Sequence, residues 1–147
     1  AGAVRLGLTS LEGQSDIPGA TGYLAEEMVT GVVAELLVGL RRDPVYGATL
    51  TLGFGGVTAE VLADTQTLVL PVVADEVLAA LRSLRLWPLL DGYRGRARAD
   101  VAAVVEAVMA VQAVLVASPA IEEIEINPLM VRAQGAVAVD AVIWEEA

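Results

Sequence analysis

Apolar positions along the chain recur at two different spacings. In residues 75–84, Val77, Leu78, Leu81 and Leu84 fall on one helical face, and Arg82 and Arg85 stand near the end where a helix favours positive charge. Pro88 and Gly92 are expected to end this helix. Asp100 is placed to cap a longer helix whose Val101, Val104, Val105, Val108, Val111 and Leu115 keep the same period, until Ser118-Pro119 stops it. Elsewhere the short apolar runs read as strands: residues 3–8, 23–29, 33–40, 48–52, 57–62 and 67–72, then a tail with Ile121, Ile124, Ile126 and Leu129 to Val131, and a last run over 137–143. Residues 13–21 collect Gly, Ser, Asp and Pro and read as a linker. Asp43-Pro44-Val45-Tyr46-Gly47 and Gln134-Gly135 carry the chemistry of chain reversals. The sum predicts an α+β fold, with an antiparallel sheet covered by two helices.

Composition narrows the chemistry. In 147 residues, nineteen carboxylates face nine arginines, for a net charge of −10, with no lysine, histidine or cysteine. Such a chain lacks the basic surface that nucleic acid requires. Without cysteine it has neither disulfides nor thiolate ligands, which suits the cytoplasm. Without histidine it has no imidazole base or ligand, so any chemistry rests on carboxylates, amides, arginines and the backbone. The most apolar stretch, residues 101–121, is interrupted by Glu106, Gln112 and Ser118-Pro119, and reads as a buried helix rather than a membrane span. No signal-peptide pattern opens the chain. Ala1, with no initiator methionine, is expected to mark a fragment boundary.

Three groups of residues can carry chemistry. Glu125 and Asn127 lie two apart on one strand and project to one side, and a hairpin closed at Gln134-Gly135 brings Asp140 back toward Asn127. Their oxygens are the hard donors that Mg²⁺ takes, together with water and phosphate. The alternative is a solvated turn at Asn127-Pro128. Glu26-Glu27-Met28-Val29, followed by Glu35, offers backbone groups for a base edge and carboxylates for ribose hydroxyls; a polar strand end is the plainer reading. Arg41-Arg42 with Gly53-Phe54-Gly55-Gly56 joins guanidinium forks to a glycine bend, as phosphate binding needs, although a tight strand connection explains the same residues. Arg94, Arg96 and Arg98 are a solvated cluster or a docking surface.

Taken in order, Glu26-Glu27-Met28-Val29, Glu35-Leu36-Leu37-Val38-Gly39, Arg42-Asp43-Pro44-Val45-Tyr46-Gly47, Gly53-Phe54-Gly55-Gly56 with Glu60, Leu89-Leu90-Asp91-Gly92-Tyr93-Arg94-Gly95 and Glu125-Ile126-Asn127-Pro128-Leu129 with Asp140-Ala141 resemble the ATP-grasp region of NDP-forming acyl-CoA synthetases, relatives of the succinyl-CoA synthetase β subunit. The resemblance covers the chain from Tyr23 onward. It implies an ATP-grasp fold, ATP or ADP with Mg²⁺ as ligands, and a reaction through acyl-phosphate and phosphohistidine intermediates. It places Glu26, Glu27, Met28 and Val29 at the adenine hinge and makes Asn127 and Asp140 the Mg²⁺ ligands, with Glu125 beside them. Glu35, Arg42, Gly55 and Gly56 fall among the nucleotide contacts, the last three near the phosphates or the approaching phosphohistidine segment.

The departures define what this chain lacks. It contains neither the family's phosphohistidine nor its nucleotide-binding lysine. The expected partner is therefore a CoA-binding, phosphohistidine-bearing domain or subunit. Residues 1–22 read as the remnant of a preceding ATP-grasp segment, and 23–147 as the C-terminal lobe, inactive alone. Gly31-Val32-Val33 replaces the family's double glycine. Two other roles compete: a catalytically silent regulatory module of a protein lysine acetyltransferase, and a docking or homodimerisation lobe.

Overall fold

The computed structural model describes residues 24–56 and 63–146. The expected strands over 3–8 and 57–62, and the segment 1–22, lie outside these residues. Among the described residues, six strands form one antiparallel sheet: β1 (Val32–Asp43), β2 (Gly47–Phe54), β3 (Thr65–Val69), β4 (Ile121–Arg132), β5 (Ala136–Ala138) and β6 (Ala141–Glu145). The order is β3-β2-β1-β4-β5, and β6 also pairs with β4. Two helices, α1 (Ala74–Ser83) and α3 (Val101–Ala117), flank the single turn α2 (Trp87–Leu90). This is the α+β arrangement read from the sequence, with two corrections. Residues 24–30 are irregular rather than a strand, leaving Leu24 and Met28 exposed. Pro88 does not end α1, which closes at Leu84; it sits in the first turn of α2, where a missing N–H costs nothing.

The core forms where the strand and helix periods meet. Ala34, Leu36, Val38 and Leu40 of β1, and Leu50, Leu52 and Phe54 of β2, turn the same way and are buried with Val77 and Leu81 of α1 and Val104, Val108 and Leu115 of α3. The intervening β1 residues, Glu35, Leu37, Gly39 and Arg41, therefore occupy the opposite face. On α3 one buried position is polar. Gln112 accepts from the Val72 N–H at 2.7 Å and donates to the Val72 carbonyl at 3.1 Å, completing both backbone bonds of a residue that no strand pairs.

Asp100 joins helix and sheet. Its carboxylate accepts from Ala103 N–H at 3.1 Å as the α3 N-cap, and from Gly135 N–H at 2.8 Å in the β4–β5 turn. These bonds, Gly135 first and Ala103 second, hold the Asp100 pKa below its ordinary value. A depressed carboxylate contributes stability in full above its unfolded pKa and loses it as pH falls through the folded one. The stability gap between the wild type and Asp100→Ala, followed by urea unfolding, should therefore be widest near neutrality. It should narrow below about pH 4.

Candidate functional site

Strand β4 carries the core and the candidate ligands on a single stretch of chain. Between the pairs Leu36↔Leu129 and Val38↔Ile126, two residues of β4, Asn127 and Pro128, oppose the single Leu37 of β1. This is a β-bulge, a device that re-aims side chains. Proline is accepted there because that position needs no ladder N–H. The bulge also switches the inward set from Ile124 and Ile126 to Leu129 and Val131.

On the other flank of β4, the partner strand breaks at the same level. β5 ends at Ala138 and β6 begins at Ala141, leaving Val139 and Asp140 between them. Across this gap Asn127 N–H donates to the Asp140 carbonyl at 3.1 Å, and Val139 N–H to the Pro128 carbonyl at 3.3 Å. The hairpin therefore closes as its turn chemistry predicted, and Asn127 and Asp140 become neighbours. Asn127 also donates through Nδ2 to Glu125 Oε1 at 3.4 Å. Asn127 and Asp140 are exposed and Glu125 is half-buried, so the oxygens of this group are open to a ligand. Among the described residues no three carboxylates gather into a metal cage. Two carboxylates and an amide suit an ion that keeps water and phosphate in its shell.

The glycine bend packs against this group. Gly55 N–H donates to the Glu35 carbonyl at 2.8 Å. A Cβ on Gly55 would stand 3.2 Å from the Leu36 carbonyl carbon and 3.3 Å from Asn127 Oδ1. Gly56 has φ +64°, and a Cβ there would lie 2.5 Å from Glu35 Oε2. Gly55 needs glycine because the Leu36 backbone stands so close, whereas Gly56 needs it for its left-handed φ, since the Glu35 carboxylate could swing aside. Glu35, Gly55, Gly56, Asn127 and Glu125 thus form one surface.

Arg42 has a different occupation. It continues the inward series of Leu36, Val38 and Leu40, and its guanidinium donates to the Ile121 carbonyl at 2.8 Å, the Leu115 carbonyl at 2.8 Å and the Ser118 carbonyl at 3.4 Å. It closes the C-terminus of α3, where carbonyls lack helical partners. Asp43 beside it accepts from the Tyr46 and Val45 N–H groups and shapes the β1–β2 turn.

Glu26, Glu27 and Val29 line a cleft of about 390 Å³ with Thr30, Arg132, Val137, Ala138 and Val139. Met28 projects elsewhere and is 83% exposed. The cleft runs along β5 and reaches Val139, the neighbour of Asp140. Sequence reasoning passed over Arg132 and the β5 wall, because one arginine at a strand end and a short Ala-Val-Ala run carry no spacing signal.

A sequence model of the ATP-grasp domain matches residues 4–144. The chain belongs to the ATP-grasp domain family. Within this family, the chain is 34% identical over 107 residues to the β subunit of an ADP-forming acetate–CoA ligase of Pyrococcus furiosus, covering 73% of this chain and 46% of that protein. It is 37% identical over 127 residues to a trans-feruloyl-CoA synthase of an unknown prokaryotic organism, covering 85% of this chain and 18% of that one. Among solved structures, an acetyl-coenzyme A synthetase of Ca. Korarchaeum cryptofilum, in complex with coenzyme A and Mg-AMPPCP, superposes with a TM-score of 0.74 at 31% identity, covering 81% of this chain and 55% of that chain. The ATP-grasp chain therefore spans about half or less of these relatives. Among the described residues no helix is long and apolar enough to cross a membrane.

Proposed function

We propose that the ATP-grasp chain is the nucleotide- and magnesium-binding part of an ADP-forming acyl-CoA synthetase acting in the cytoplasm. The observation that carries this reading is the coincidence of two interruptions. The β4 bulge at Asn127-Pro128 and the gap between β5 and β6 at Asp140 meet side by side, next to Gly55 and at the mouth of the hinge cleft. Asn127 and Asp140, with Glu125 adjacent, hold Mg²⁺, which neutralises the charge of the transferred phosphoryl group when bound. Gly55 and Gly56 let the bend pack directly against Asn127 and Glu35 at the edge of this group. Glu35 closes the same surface. Glu26, Glu27 and Val29 hold the base and ribose, while Met28 points out of the cleft and takes no part.

The whole reaction takes an acyl-CoA, ADP and phosphate to the acid, CoA and ATP, or runs in reverse, through acyl-phosphate and phosphohistidine intermediates. This chain has no histidine. The phosphohistidine and the CoA site belong to a partner domain or subunit and the family's lysine to the first ATP-grasp lobe, so this chain alone is inactive. A metal site of mixed carboxylate and amide oxygens is suited to that division, since it clamps phosphates without supplying a nucleophile. Titration calorimetry of ADP into the complete protein, with and without Mg²⁺, tests the reading. Saturable binding that needs the metal is expected; no heat in its presence would sink the proposal.

A further inference from the structure

One cation of the hinge cleft has no assigned role. Arg132 ends β4, opposite Val32 of β1. Its backbone is fully used: the N–H donates to the Gly135 carbonyl at 3.0 Å, and the carbonyl accepts from Asp100 N–H at 2.8 Å. Its side chain is not. Nε is enclosed and finds no hydrogen-bond partner among the described residues, so no acceptor among them ties the guanidinium plane to one orientation. Although Glu26 and Glu27 line the same cleft, no ion pair forms between Arg132 and any described carboxylate. The end of the guanidinium passes the β4–β5 turn, 3.6 Å from where a Cβ on Gly135 would stand; with φ +78° there, a larger residue would be strained.

Position fixes which end of a ligand Arg132 meets. It stands five positions beyond Asn127, roughly 16 Å along β4. That length is comparable to an extended nucleoside diphosphate, so an arginine at the far end from the metal ligands lies by the base rather than the phosphates. A guanidinium is flat, permanently charged and donor-only, and it stacks on π faces in a way an ammonium does not.

We propose that Arg132 is the base-end anchor of the nucleotide, its guanidinium plane lying on the purine face within the cleft lined by Glu26, Glu27, Val137 and Val139. This rests on the nucleotide reading above. It assigns the two ends of one ligand to the two ends of β4: phosphates and metal at Asn127, base at Arg132.

The test is calorimetry on the complete protein carrying Arg132→Ala, Arg132→Met or Arg132→Lys, with Mg-ADP as titrant and magnesium pyrophosphate as a competitor that has no base. Loss of the stack should weaken Mg-ADP about tenfold in the Ala and Met variants and leave pyrophosphate unchanged. Lysine should not restore the affinity. Met keeps an apolar stem and guards against misfolding, which the thermal midpoint monitors. An equal loss for pyrophosphate would overturn the proposal, as would unchanged Mg-ADP affinity or full recovery with lysine. If Asn127→Ala weakens Mg-ADP binding while Arg132→Ala leaves it unchanged, the base-end anchor alone fails. If the wild type does not bind Mg-ADP, both readings fall.

Discussion

Replacing Arg42 by alanine should lower the thermal midpoint by roughly 10 °C while leaving Mg-ADP affinity, measured well below the transition, within about twofold. The side chain holds carbonyls of Leu115, Ser118 and Ile121 together, and its removal strands acceptors at the C-terminus of α3. Hydrogen bonds from a charged donor are each worth about 1.5–3 kcal/mol, and partial exposure lets water recover some of that. A total near 3 kcal/mol follows, which in a domain of this size is a shift of about 10 °C. A phosphate contact would give the opposite pattern, with affinity lost and the midpoint kept. Differential scanning calorimetry beside a binding isotherm separates the two.

Asn127→Ala and Asp140→Ala should each weaken Mg-ADP by roughly 10–100-fold, and barely affect metal-free ADP. The two residues touch through the backbone, Asn127 N–H to the Asp140 carbonyl at 3.1 Å, and that bond survives either substitution. The fold should therefore persist while the site empties. Because they would share one ion, the double variant should lose less than the sum of the singles. Strict additivity in titrations at fixed free Mg²⁺ would show that they do not share a metal.

Much of this was written in the pattern of residues. The helical spacing from Val101 to Leu115 and the capping Asp100 gave α3 to within its true ends, and Asp43-Pro44 with Gly47 marked the first reversal. Glu125 and Asn127 were placed on one side by strand parity, and Gln134-Gly135 brought Asp140 round to meet them. What stayed hidden depended on tertiary partners. Residues 23–29 have strand-like composition, but the described part of that segment finds no strand to pair with and stays irregular. Arg42 resembled a phosphate residue because arginine beside glycine suggests anions. Its parity with Leu36, Val38 and Leu40 already pointed it inward, and only the folded α3 shows the carbonyls it meets. Arg132 stood alone in the sequence, and its cleft exists only once β5 and residues 26–30 face each other.

The two sides of the proposed magnesium site rest on backbone of unequal security. Asn127 lies on β4, paired by β1 on one flank and by β5 and β6 on the other, whereas Asp140 lies in the gap of the outer rank. Amide exchange of Ile126 and Leu129 should therefore wait for global opening, while residues 139–141 exchange through local fraying. A departing ion would be released from the Asp140 side, with Asn127 still in place to receive the next.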